Sequence, residues 1–153
     1  ATGWRRFRLS AATVIHHEIA LVATAALLIV LTWGEATTTG AWAFALLYAM
    51  RLSTKLNIFL GVPNFSTDIL PPQLAYLQSY FRARPFNALM PISLAMSVGV
   101  TAWLSMRALA STGHDATSWS LLAGLALLGV IEHLFLVLPW RDSALWRWAM
   151  PIR

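Results

Sequence analysis

The sequence predicts an all-α integral membrane protein. Four transmembrane helices are expected, paired as two antiparallel hairpins, with a short amphipathic helix at the membrane interface. Three observations lead there. Hydrophobic residues make up 58% of the chain and charged residues only 11%. The apolar residues gather in four blocks of about 20, the length a helix needs to cross a hydrocarbon core about 30 Å thick. The blocks lack the apolar–polar alternation of barrel strands. Backbone groups in lipid must then be satisfied within each segment, as a helix does.

The spans are expected at residues 10–33, 38–60, 86–110 and 117–139, within a single domain covering 1–153. Pro91 falls near the start of the third. Residues 34–37 and 111–115 are short turns, so neighbouring spans form hairpins. The basic stretch Trp4-Arg5-Arg6-Phe7-Arg8 before the first span imitates a signal peptide. The apolar run that follows is too long for a signal core, and no small-residue cleavage site precedes a soluble domain. The first span is therefore expected to be retained.

Between the second and third spans, Leu70, Leu74, Leu77 and Phe81 recur at helical spacing, with Tyr76 and Tyr80 alongside. Gln73, Gln78, Arg82 and Arg84 supply a polar side, Pro71 and Pro72 suit a helix start, and Pro85 suits a stop. An amphipathic helix is expected at about residues 70–84. It either lies in the interface or packs on the end of the bundle, and the two are compatible. Leu74, Leu77, Phe81, Arg82 and Arg84 are its candidate docking residues for a partner or lipid.

Orientation follows from Lys and Arg. Ten of the eleven basic residues fall on one side of the predicted spans, and only Arg107 falls toward the other. Both ends of the segment are expected to be cytoplasmic. Reporter fusions within residues 111–115 should therefore read as periplasmic, and a cytoplasmic signal there would overturn the four-span topology. Six Trp residues, at 4, 33, 119, 140, 146 and 148, fall near predicted interfaces as an aromatic belt.

The chemistry is concentrated in one layer of charge. With helix ends at Trp33, Thr38 and Trp119, a rise of about 1.5 Å per residue puts Glu18 about 22 Å deep, Arg51 and Glu132 about 20 Å and Lys55 about 26 Å. Ionisable groups within a bilayer are costly unless paired and mark functional sites. The plainest reading is an ion-pair network that sets helix register. Arg51 and Lys55 can instead snorkel to the interface. Glu18 and Glu132 have short stems, so they need a partner, a proton or water.

Two sharper readings compete with that one. His16, His17, Glu18, Glu132 and His133 are ligand types for iron or zinc. Carboxylate-bridged bundles, however, use Glu-x-x-His. Here Glu and His are adjacent, about 100° apart on a helix of 3.6 residues per turn, so no metal site is expected. His16, His17 and His133 are also candidate axial ligands for a chlorophyll-type pigment, against the alternative of histidines hydrogen-bonded within the bundle.

Composition closes other routes. The chain has no Cys, so disulfides and thiolate chemistry are excluded. The net charge of +5 sits at the ends of apolar blocks rather than on a soluble face, which argues against nucleic acid. No phosphate loop, nucleophile elbow or HExxH motif occurs. The third span carries small residues at Ser93 and Ser97, with Ala95 and Gly99 offset, and such stripes let helices approach closely.

The stretch from Arg51-Leu52-Ser53-Thr54-Lys55-Leu56-Asn57 to Gly61-Val62-Pro63-Asn64 resembles the PuhE family of photosynthetic complex assembly proteins from phototrophic bacteria. So do Leu70-Pro71-Pro72, Ser79-Tyr80-Phe81-Arg82, Arg84-Pro85 and Asn87, the His17-Glu18 pair, Glu132-His133, and Ala144-Leu145-Trp146-Arg147-Trp148. The resemblance covers most of the chain. The family is longer at its N-terminus, so that part is expected to be missing here.

The resemblance implies a non-enzymatic assembly factor or accessory subunit of a reaction-centre/light-harvesting complex. Its partners would be lipids and subunits of that complex, in a bacterial cytoplasmic or intracytoplasmic photosynthetic membrane. Bacteriochlorophyll or carotenoid would be met at contacts with the larger complex. The alternative is a bacteriochlorophyll-pathway enzyme, or a pigment or quinone carrier, using the acid–base layer. The resemblance carries over no catalytic residues.

Overall fold

Four apolar helices make up the computed structural model: α1 (Gly3–Leu31), α2 (Thr39–Leu60), α3 (Leu89–Leu109) and α4 (Gly113–Val137). Each is long and apolar enough to cross a membrane. The structure describes residues 3–64 and 83–138. The expected interfacial helix, with Leu74, Leu77, Phe81 and Arg82, lies outside the described residues. Only its last two positions are described. Ala83 forms a parallel bridge with Val62, and the Arg84 amide donates to the Val62 carbonyl at 3.2 Å.

The boundaries differ most from expectation at the starts of three helices, and by no more than two residues at the other ends. α1 begins at Gly3 rather than at residue 10. The first turns earn this extension because Arg6 and Phe7 have partners on α2. The Arg6 guanidinium donates to the Phe59 carbonyl at 2.8 Å and sits 4.3 Å from the Phe59 ring centre. α3 begins at Leu89 rather than 86, because Asn87 caps it: its side-chain oxygen accepts from the Met90 amide at 2.9 Å. α4 begins four residues earlier than expected, at Gly113.

The helices pack unequally. α3 and α4 make the most extensive contact, α2 lies against both, and α1 touches the rest chiefly through α2. The apolar core joins Met50 of α2, Leu104 of α3 and Leu122 and Ala126 of α4. A smaller cluster joins Val62, Met90 and Leu136 at one end. Gly129 lets α2 and α4 close on each other, since a Cβ there would stand 3.0 Å from the Met50 Cγ. Ser93 and Ser97 of the small-residue stripe are buried, while Ala95 and Gly99 face outward.

Several hydroxyls within the spans are satisfied along their own helices. Thr24, Thr54, Thr101 and Ser105 each donate to the carbonyl four residues back. Such back-bonding makes a hydroxyl tolerable in an apolar segment. α1 behaves differently from the other three helices. Of its 29 residues only Arg6 is buried, and Ile15, Ile19, Val22 and Ile29 are among the apolar side chains it exposes.

Candidate functional site

The predicted charge layer is drawn together in part. Glu18 of α1 and Lys55 of α2 form an ion pair through Oε1 and Nζ, the one ion pair among the described residues. Tyr48, on α2, lies near enough to the same carboxylate to interact with it. Glu18 Oε2 is buried and has no hydrogen-bond donor among the described residues. Arg51 and Glu132 are exposed and join no ion pair there.

The sequence geometry explains that division. Glu132 and His133 are neighbours about 100° apart on α4, so only one can point inward. His133 does, and is fully buried, while Glu132 faces out. On α2, Lys55 is the base that faces α1, and Arg51 lies one turn away from it.

His133 is held at both nitrogens. Nδ1 lies 2.7 Å from the Gly129 carbonyl and Nε2 lies 2.9 Å from the Ser53 hydroxyl. A carbonyl only accepts, so Nδ1 carries the proton and donates, and in the neutral ring Nε2 accepts from Ser53. A pigment magnesium at Nε2 would have to displace Ser53. His16 and His17 are exposed on α1. No group of three or more metal-ligating side chains occurs among the described residues.

Three asparagines, which the sequence marked only through the family resemblance and without a structural role, join the helix ends. Asn57 is fully buried, and its amide donates to the Ser53 carbonyl and to Ser93 Oγ, each at 3.0 Å. Asn87 caps α3 and also donates to the Gly61 carbonyl at 2.8 Å, at the end of α2. Asn64 donates to the Phe135 and Leu138 carbonyls at 2.8 and 2.7 Å, and its own amide reaches the Leu136 carbonyl at 3.1 Å.

These bonds meet a definite need. A helix leaves its last four carbonyls and first four amides without internal partners. At this end of the molecule the C-termini of α2 and α4 meet the N-terminus of α3, and asparagine amides bridge them. The signal available beforehand was an amide within the apolar run Leu56–Leu60. The molecule thus has an asparagine end and, opposite it, an end lined by Trp33, Trp42, Trp103 and Trp119.

With this geometry in place, comparison with known proteins locates the chain. A family model described as "Protein of unknown function (DUF3623)" matches residues 1–153. The chain belongs to the DUF3623 family. It is also 41% identical over 147 residues to the "Uncharacterized 30.4 kDa protein in puhA 5'region" of Rhodobacter capsulatus. That match covers 95% of this chain and 54% of the relative, so the chain spans about half the relative's length. No solved structure matches it.

Proposed function

We propose that this chain is a non-enzymatic assembly factor or accessory subunit of a bacterial reaction-centre/light-harvesting complex. It works by packing its helices against other membrane helices, pigments and lipid. The observation that carries the reading is α1. It is attached by the Glu18–Lys55 pair in its middle and by Arg6 near its start, and the rest of its apolar surface is left outward. Lipid gives no hydrophobic drive between helices, so association rests on close packing at small residues, and α1 exposes Ala20, Ala23 and Thr24 for it. The Rhodobacter capsulatus relative and the resemblance to the PuhE family supply the photosynthetic context.

A second reading, a pigment-pathway enzyme or carrier, draws on Glu18. Its buried Oε2 has no hydrogen-bond donor among the described residues, which leaves that oxygen available to hold a proton. Gene deletion in a phototrophic host separates the two. The assembly reading expects near-infrared absorption of the reaction centre and antenna to fall without a build-up of pigment precursors, and expects the tagged protein to co-purify with subunits of the complex. Accumulation of a precursor would favour the enzyme. Normal complex levels in the deletion strain would sink the assembly reading.

A further inference from the structure

The tryptophan end holds two apolar clefts and one polar mouth, and Trp42 borders all three. One cleft, of about 360 Å³, lies among α2, α3 and α4 and is lined by Leu46, Val100, Trp103, Leu104 and Trp119. The other, of about 340 Å³, lies between α1 and α2 and is lined by Ile29, Thr32, Trp33 and Ala41. Trp42 and Ala45 form the wall they share. Each lies within the range of ligand pockets, about 300–1,000 Å³.

The clefts are about one leaflet deep. From Thr38 to Leu46 is eight residues, or about 12 Å at the helical rise, against about 15 Å for half a hydrocarbon core.

The mouth, of about 280 Å³, is polar. It is lined by Thr37, Thr39, Ser111, Ser118 and three ionisable groups, Arg107, His114 and Asp115. The Arg107 guanidinium stands 5.3 Å from the Trp119 ring centre, at the boundary between the mouth and the larger cleft. Arg107 and Asp115 share the mouth without forming an ion pair with each other. The site therefore offers two apolar slots, one cation and one anion.

We infer that this end binds a zwitterionic diacyl phospholipid of the adjoining leaflet, with its tails on either side of Trp42, its phosphate at Arg107 and its ammonium at Asp115. A single-tailed amphiphile would leave one cleft empty. An anionic headgroup would leave Asp115 facing phosphate with no positive charge to meet. Arginine suits the phosphate because its planar fork matches the oxygens and it stacks on an aromatic face at the same time. The inference is independent of the proposed function.

Native mass spectrometry of the purified protein in mild detergent tests it, with equal amounts of phosphatidylethanolamine and phosphatidylglycerol of matched chain length added back. One phosphatidylethanolamine should be retained per chain. Ala45→Trp, at an exposed position in the shared wall, should abolish retention. Arg107→Leu should weaken it about tenfold or more, as for loss of one bond to a charged group. Asp115→Asn should remove the preference over phosphatidylglycerol. Arg107 and Asp115 are exposed, so these two variants should still fold, losing only the small contribution of an exposed ring contact or helix-end charge. Absence of retained lipid, preferential retention of phosphatidylglycerol, equal competition by a lysophospholipid, or retention unchanged in both Ala45→Trp and Arg107→Leu would each overturn the inference.

Discussion

Asn87→Leu is expected to destabilise the protein by about 2–4 kcal/mol, from one helix cap and one stranded buried carbonyl. Asn87 is buried and serves two helices at once. Its Oδ1 takes the Met90 amide at the start of α3, and its Nδ2 reaches the Gly61 carbonyl just past α2. The Asn57 carbonyl, its more distant acceptor at 3.4 Å, still receives the Gly61 amide at 2.9 Å and is not stranded. Asn87→Ser separates the two roles, because serine caps a helix but cannot span to Gly61. Thermal unfolding in mild detergent should rank wild type above Asn87→Ser and Asn87→Ser above Asn87→Leu. A leucine variant as stable as wild type would show that the bridge is dispensable.

That bridge marks where the sequence stopped being legible. The four spans were readable because about 20 apolar residues in a row leave few structural choices. Their ends were not, since they depend on side chains reaching across from other helices. Arg6 extends α1 by meeting the Phe59 carbonyl, and Asn87 delays α3 until Leu89. Depth could be estimated from helical rise, but direction could not. Glu132 and Lys55 were assigned to one layer on depth alone. Rotation about the helix then decided that His133 faces the interior, Glu132 faces out and Lys55 meets Glu18. The asparagines stood in the sequence only as part of the family resemblance, with no structural role, because an amide carries no charge to flag it. Yet in an apolar setting an amide does what water does elsewhere, supplying donors to helix ends.

Lys55→Leu should cut accumulation of the protein sharply, because it leaves the partly buried Glu18 carboxylate unpaired within an apolar span, where a lone charge costs about 2.5–3.5 kcal/mol. Glu18 has a short stem and, about 22 Å into a core of about 30 Å, cannot carry its charge to the interface as a lysine or arginine does. Its second oxygen has no donor within hydrogen-bond distance among the described residues, with Tyr48 a further polar side chain that acts on the carboxylate. Glu18→Gln alone should be milder, since the Lys55 stem can carry its ammonium toward the interface. Lys55→Leu with Glu18→Gln should recover much of the accumulation, because no charge is then stranded. Arg51→Leu should be tolerated by itself, as Arg51 is exposed and joins no ion pair among the described residues. Membrane-fraction immunoblots of the four variants give the ranking. If Lys55→Leu accumulates like wild type, Glu18 must be taking up a proton when its partner is lost. The ion pair would then not be needed to hold α1 in place, and the attachment of that helix would rest on Arg6 and the aromatic contacts of Phe7 with Phe59.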